Sequence, residues 1–353
     1  MTSKEQKIAG FDPNGLAAPG AVFGLPFLPS EAEVVLFPVP WEVTVSYAAG
    51  TALGPEAIRE ASGQVDLYDP RLVDAWKMGI WMAPSDVSLV EKSEKNRKRA
   101  VDYLEAFTVG SLGEKSERAL EKINSACAEM VDWVEDSVEF YLSNGQLVGL
   151  VGGDHSTPLG YLRALGKIHG SFGILQIDAH MDLRVAYEGF EFSHASIMYN
   201  ALRSSAIEKL VQVGIRDYCQ AEMDYVQTDP RVVTFFDRDM KRAHYEGVTW
   251  QQQVEKIVQC LPQKVYLSFD IDGLDPKLCP NTGTPVAGGL ESEQVLYLLE
   301  QVIDSGRTLI GFDLNEVAPG IEGDWDANVA SRILYRLCNL LGESNGRHRT
   351  FAL

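Results

Sequence analysis

The sequence predicts an α/β protein, a three-layer α/β/α sandwich on a mainly parallel central sheet. Three observations carry this. Short continuous apolar runs alternate along the chain with longer segments whose apolar residues recur at helical spacing. The runs lack polar–apolar alternation, as expected of parallel strands covered on both faces. The conspicuous polar motifs each follow directly on one of these runs, and parallel α/β sheets bind ligands beyond the C-terminal ends of their strands.

Residues 1–33 are rich in Gly, Pro and Ala, with Asp12-Pro-Asn-Gly15 and Pro26-Phe-Leu-Pro29 among them. They read as an extended arm with turns, leaving 34–353 as a single domain. Val34-Val-Leu-Phe37 is the first strand; Pro38-Val-Pro40-Trp41 leads into a loop as far as Gly50, and Gly54-Pro55 opens a helix, proline being tolerated where its missing N–H has no helical partner. The charged stretch 91–118, with Lys95, Arg97, Lys98 and Arg99, reads as a solvated loop or helix face without assigned function. Leu120, Ile123, Cys127, Met130, Val131, Val134, Val138 and Leu142 form one stripe of a long helix that Asn144-Gly145 ends. Strands follow at 147–151, 173–177, 211–215, 232–236, 265–269 and 309–312, with helices at 158–168, 250–260, 291–305 and 327–341. The sequence shows no internal repeat and no low-complexity linker.

A chain of 353 residues with 45% apolar content is long enough for one large core. No stretch has the uninterrupted apolar length of a membrane span. The opening Met1-Thr-Ser-Lys-Glu-Gln-Lys7 has no apolar core of the secretory kind, so a cytoplasmic location is expected. The five scattered cysteines, odd in number and without a CxxC pair, suit reduced thiols and argue against a disulfide scaffold or zinc cluster. A net charge of −19 has the wrong sign for gripping a nucleic-acid backbone. It suits attraction of a cationic substrate or a divalent metal, and equally plain solubility.

The run 173–177 ends in Asp178-Ala-His180-Met-Asp182. In an extended backbone, alternate residues share one side, so these three groups converge beyond the strand. Two carboxylates facing one another repel unless a cation holds them, which favours a metal over a loop of capping aspartates. Run 147–151 ends in Gly152-Gly-Asp154-His155-Ser156, run 265–269 in Asp270-Ile-Asp272-Gly-Leu-Asp275-Pro276, and run 309–312 in Asp313-Leu-Asn-Glu316. His155, Asp178, His180, Asp182, Asp270 and Asp272 exceed the needs of one tetrahedral ion and suit a pair of ions with bridging carboxylates. Oxygen-rich ligation with some imidazole favours Mn²⁺, admits Ni²⁺, Fe²⁺ or Co²⁺, and disfavours copper and structural zinc. His169, His244 and His348 read as surface or packing residues.

Taken together, Gly152-Gly-Asp-His-Ser156, Asp178-Ala-His-Met-Asp182 and Ser268-Phe-Asp-Ile-Asp-Gly-Leu-Asp-Pro276 resemble the signatures of the ureohydrolase family of arginases, agmatinases, formiminoglutamases and guanidine hydrolases. The likeness continues through Thr282-Gly-Thr-Pro-Val286, Gly288-Gly-Leu290 and Glu316-Val-Ala-Pro319, and spans nearly the whole chain. It implies an arginase-like fold and two divalent ions, usually manganese. One ion would sit on His155 and Asp182, the other on His180 and Asp272, with Asp178 and Asp270 bridging. Together they would activate water against the planar, resonance-stabilised guanidino carbon. By position, Glu316 matches the carboxylate that pairs with the guanidinium, and Thr284 a substrate-side hydroxyl. His194, in Ser193-His-Ala-Ser196, matches the histidine that passes a proton to the leaving amine. Asp182, His194 and Glu316 are the catalytic candidates. The resemblance also implies a homo-oligomer, trimer or hexamer.

The sequence departs from the arginase pattern where substrates are told apart. Arg184 stands where arginases carry an asparagine that reads the amino-acid end of arginine, so arginine itself is disfavoured. Asp217 either contacts a cationic substrate tail or pairs with its neighbour Arg216. Trp41 and Trp325 either line the pocket as an aromatic box for a small cation or belong to the core or an interface. The resemblance to bacterial guanidine hydrolases and agmatinase-like proteins ranks free guanidine first, and with the box in place the pocket shrinks toward that cation, with nickel as its metal. Agmatine, giving putrescine and urea, comes next and a longer guanidino acid third. Outside this class stand a single-zinc deacetylase-like enzyme and a non-catalytic binding protein.

Overall fold

The computed structural model describes residues 2–320, 323–347 and 349–350; His348 lies outside them. Val34-Val-Leu-Phe-Pro-Val39 is buried at every position and forms strand β1 (Val34–Val39). The other strands are β2 (Leu72–Val73), β3 (Ile80–Met82), β4 (Leu147–Gly152), β5 (Phe172–Ile177), β6 (Ile207–Ile215), β7 (Val232–Phe236), β8 (Lys264–Asp270), β9 (Thr308–Asn315) and β10 (Arg349–Thr350). Eight of them form one sheet in the order β3-β1-β4-β9-β8-β5-β6-β7. Every neighbouring pair in it is parallel. The short β2 and β10 pair separately.

The helices are α1 (Ser3–Gly10), α2 (Gly54–Ala61), α3 (Val87–Thr108), α4 (Glu114–Ser143), α5 (Leu159–His169), α6 (Ile197–Leu202), α7 (Gln220–Thr228), α8 (Asp237–Tyr245), α9 (Trp250–Gln259), α10 (Ser292–Asp304) and α11 (Trp325–Ser344). They bury their apolar stripes in two separate cores. One gathers Ile58 of α2, Ile257 of α9, Leu298 of α10 and Leu334 of α11. The other gathers Tyr103 of α3, Val131 of α4, Leu162 of α5 and Met198 of α6. Two cores on one sheet make the three layers expected.

The stripe read from Leu120 to Leu142 lies inside α4, and Gly145 just beyond it takes the positive φ of 77° that ends such helices. The charged stretch is helical. Asp86 caps α3 by accepting from the amides of Ser88 and Leu89 at 2.8 and 3.1 Å, and α4 begins at Glu114. The arm is less extended than expected, because α1 occupies Ser3–Gly10. Beyond it Val22, Phe23, Leu25 and Phe27 are buried in the first core. All five cysteines are free thiols, and no helix among the described residues is long and apolar enough to cross a membrane.

Strands β4, β9, β8 and β5 are consecutive in the sheet. The four motifs that end them lie far apart in sequence, yet the topology sets them side by side at the C-terminal edge of the sheet's centre.

Candidate metal centre and substrate pocket

Strand β4 delivers His155 through Gly152-Gly153, and neither glycine can carry a side chain. A Cβ at Gly152 would lie 1.8 Å from Asn315 Oδ1, and one at Gly153 1.9 Å from the Trp41 carbonyl. Buried His155 turns Nδ1 toward three carboxylate oxygens, of Asp178 at 3.1 Å, Asp182 at 3.0 Å and Asp270 at 3.3 Å. Its Nε2 lies 2.9 Å from Ser268 Oγ, and that hydroxyl donates to Asp313 at 3.2 Å. His180 Nδ1 faces Asp272 at 3.0 Å and the other oxygen of Asp178 at 3.6 Å. Two ligand groups result, His155/Asp178/Asp270 and Asp178/His180/Asp272, each with its ligand atoms within 4.8 Å of one another. They share Asp178.

The carboxylates are held from behind. Asp178 accepts from the His180 amide at 2.7 Å and from Gln176 Nε2 at 2.7 Å. Gln212 in turn supports Gln176 at 2.7 Å. Asp270 accepts from the Asp272 amide at 2.8 Å, and Asp272 from the Ala179 amide at 3.0 Å. Asp182 reaches its place differently from the expected extended run. Its φ is 55°, a left-handed conformation uncommon outside glycine, and its carbonyl is fixed by the amides of Met198 and Tyr199. The turn brings Asp182 back to His155 while His180 faces Asp272, so the alternate residues serve two neighbouring points instead of one.

The electrostatics of the bare site ask for cations. Burial pushes Asp182 up to about 7, reinforced by Asp178. It raises Asp270 well above the carboxylate range, with Asp272 and Asp178 adding to it. Burial acting alone would lower both histidines, but the surrounding carboxylates override it. His155 is raised well above its ordinary value, and His180 is pushed up to about 12, chiefly by Asp272. His155 Nδ1 nevertheless has no well-formed hydrogen bond. A buried ring nitrogen without a partner, aimed among carboxylate oxygens, fits divalent cations in number, charge and ligand type.

Above the two clusters is a cavity of about 320 Å³, within the range of small-molecule sites. His155, His180, Asp182 and Asp270 contribute to its floor, with Glu316 and Thr284 beside them. Glu316, at the end of β9, is also left-handed, with φ 63°; such strain gathers where a side chain must be aimed. Burial raises its pKa well above the usual value, with Asp154 adding to it. Thr284 Oγ1 lies 3.4 Å from Asp272 Oδ2. His194 lines the wall, with Nδ1 3.5 Å from Thr44 Oγ1 and 3.4 Å from Ser193 Oγ. Burial pushes it down to about 3, with the His180 and His155 charges adding to the effect.

Asp217 lines the same cavity, exposed, and is not paired with Arg216. That guanidinium donates instead to backbone carbonyls, among them Asp272 at 2.6 Å and Val286 at 3.0 Å. Trp325 is a correction. It is 53% exposed, donates its indole N–H to the Lys277 carbonyl at 3.0 Å and is not among the cavity-lining residues. Trp41 is fully buried in the second core. The aromatic groups that do line the cavity are Tyr47, Tyr187 and Tyr218. Tyr187, Tyr218 and buried Glu222 carried no recognisable spacing, and only tertiary structure places them.

The sequence model of the arginase family matches residues 32–339. An N(1)-aminopropylagmatine ureohydrolase from Thermus thermophilus is 32% identical over 327 residues, covering 92% of this chain and 96% of its own. An agmatinase from Halalkalibacterium halodurans is 30% identical over 292 residues, covering 83% of this chain and 86% of its own. The crystal structure of agmatine ureohydrolase of Thermoplasma volcanium superposes with a TM-score of 0.68 at 22% identity, over 98% of this chain and 100% of that one.

Proposed function

Because this chain belongs to the arginase family, and is thereby a ureohydrolase acting on a guanidino compound, we propose that its substrate is a guanidino amine, agmatine foremost. Water adds to the guanidino carbon, the bond to the substituted nitrogen breaks, and urea and the free amine leave. Two divalent ions, held by His155, Asp178, His180, Asp182, Asp270 and Asp272, would supply Lewis acidity and lower the pKa of water. Manganese is the metal first expected from the oxygen-rich ligand set.

The chain's own groups do the rest. Glu316, once a guanidinium neutralises its neighbourhood, ionises and orients the substrate by charge-assisted hydrogen bonds. Thr284 offers a hydroxyl beside it. His194 is neutral, and with Nδ1 turned to Thr44 and Ser193 its Nε2 is the nitrogen able to accept a proton from the attacking water and deliver it to the departing amine.

The observation that carries the amine tail is Asp217, a carboxylate at the cavity with no ion pair among the described residues. Free guanidine, ranked first from the sequence, drew on tryptophans that would box a small cation, and neither Trp41 nor Trp325 lines this cavity. Relatives named for agmatine and aminopropylagmatine support the same tail. The test is urea release from agmatine, guanidine, 4-guanidinobutyrate and arginine by protein loaded with Mn²⁺ or Ni²⁺. Agmatine should show the highest kcat/KM; turnover of guanidine alone, or of none of the four, overturns the proposal.

A further inference from the structure

Arg184 stands at the same cavity as Asp217 and is held there from three directions. Its backbone amide donates to the Ala195 carbonyl at 3.0 Å. Its guanidinium lies over the Tyr187 ring, 5.0 Å from the centroid, a stabilising cation–π distance. Its Nε lies 3.6 Å from Glu222 Oε2. Glu222 is immobile. It is buried, accepting from the Leu183 amide at 3.1 Å and from the Cys219 amide at 3.0 Å, where it caps α7. A fixed carboxylate therefore fixes a cation on the cavity wall.

With Asp178, Asp182, Asp270 and Asp272 committed to two divalent ions, the remaining lining carboxylates are Glu316, Asp217 and Glu222. Arg184 offsets one of them. The surplus of two negative charges matches a substrate with one guanidinium and one ammonium, and falls short for one that adds a second ammonium. Removing the arginine would restore the third negative charge at the cavity wall. From this geometry we infer that Arg184 is a specificity-determining residue that selects guanidino monoamines against guanidino diamines. The inference rests on the proposed reaction and decides what the relatives' names leave open, since those name both tail classes.

The experiment compares kcat/KM for agmatine and N(1)-aminopropylagmatine in metal-loaded wild type, Arg184→Gln and Arg184→Lys. Wild type should favour agmatine at least tenfold. Arg184→Gln should shrink that preference by tenfold or more, mainly through the KM of the diamine, and Arg184→Lys, which keeps the charge, should retain it. A wild type that treats both substrates alike, or an unchanged ratio in Arg184→Gln, overturns the inference while leaving the proposed reaction standing. Urea from neither amine overturns both. Should Arg184→Gln fail to fold, product-like inhibitors of the untouched protein decide: a triamine should compete with agmatine no better than a diamine, and tenfold tighter competition by the triamine overturns the inference.

Discussion

The backbone amide of His155 donates to Glu316 Oε1 at 2.8 Å, across 161 positions of sequence. The Glu316 amide returns the contact, donating to the Gly153 carbonyl at 2.8 Å. The exits of β4 and β9 are thus clipped together, and the group that would hold the guanidinium is registered against a candidate metal ligand.

Replacing Glu316 with Gln keeps an acceptor for the His155 amide and removes only the charge. The loss should fall on substrate binding and turnover, about a hundredfold in kcat/KM for roughly 2.7 kcal/mol of charge-assisted hydrogen bonding. Elemental analysis should still find two ions per chain. Activity within threefold of wild type would remove Glu316 from the guanidinium.

Asp178 faces both histidines, so the ions should not be lost independently when it is changed. Asp178→Asn should lower the content of both together, and His180→Ala chiefly that of one. Metal titration followed by elemental analysis separates the cases; a variant Asp178→Asn that keeps one tight ion contradicts the shared role.

Ser268 touches no carboxylate of the floor, yet its hydroxyl bridges His155 Nε2 to Asp313. Such outer contacts fix a ligating imidazole's tautomer and tilt, and their removal weakens metal affinity by about 10–100-fold. Ser268→Ala should show that weakening in a chelator competition with far-UV circular dichroism unchanged. Unaltered affinity would reduce the hydroxyl to a packing role.

Proton bookkeeping gives a fourth expectation. The bare site holds protons more tightly than its groups do in water, since the carboxylates raise His155 and His180 and burial raises Asp182 and Asp270. A cation needs their lone pairs, so loading should expel protons, and affinity should rise with pH and fall as acid restores them. Calorimetry at pH 7.5 in buffers of different ionisation enthalpy should register at least one proton released per chain. No dependence on buffer would mean that these four groups do not ligate a cation.

Much of the sheet was legible because a parallel strand buried on both faces writes itself as a continuous apolar run, as 147–151 and 265–269 do. Strand β3 left no such trace, being three residues long. Helix α3 was obscured because polar Ser93 and Asn96 sit among its few buried positions, which breaks the apolar stripe. The six metal-ligand candidates were legible from residue type at strand exits. Asp182 still differs in path, since its left-handed backbone is a tertiary solution that no spacing encodes. Trp325 shows the opposite failure. It lies near the Glu316 motif in sequence, but α11 begins there and carries the ring out to solvent. An aromatic side chain by itself says nothing about which surface it will cover.

Gly152 offers a test of how tightly β4 and β9 must approach. A Cβ there would lie 1.8 Å from Asn315 Oδ1 and 2.5 Å from Thr157 Oγ1. Those two atoms are themselves hydrogen-bonded at 2.9 Å, and Asn315 Nδ2 donates onward to Asp313 at 2.5 Å. A methyl group cannot enter without breaking that buried polar chain, which leads to Ser268 and so to His155. Gly152→Ala should lose about 2–4 kcal/mol of stability, combining overpacking with unsatisfied buried groups, and should bind metal more weakly. Gly10→Ala, where nothing lies within 4 Å of the added atom, should stay within about 0.5 kcal/mol of wild type. Denaturant melts of the two variants check this: equal midpoints would mean that the strand exits have room the structure does not show, and that the registration of His155 against Glu316 is looser than 2.8 Å implies.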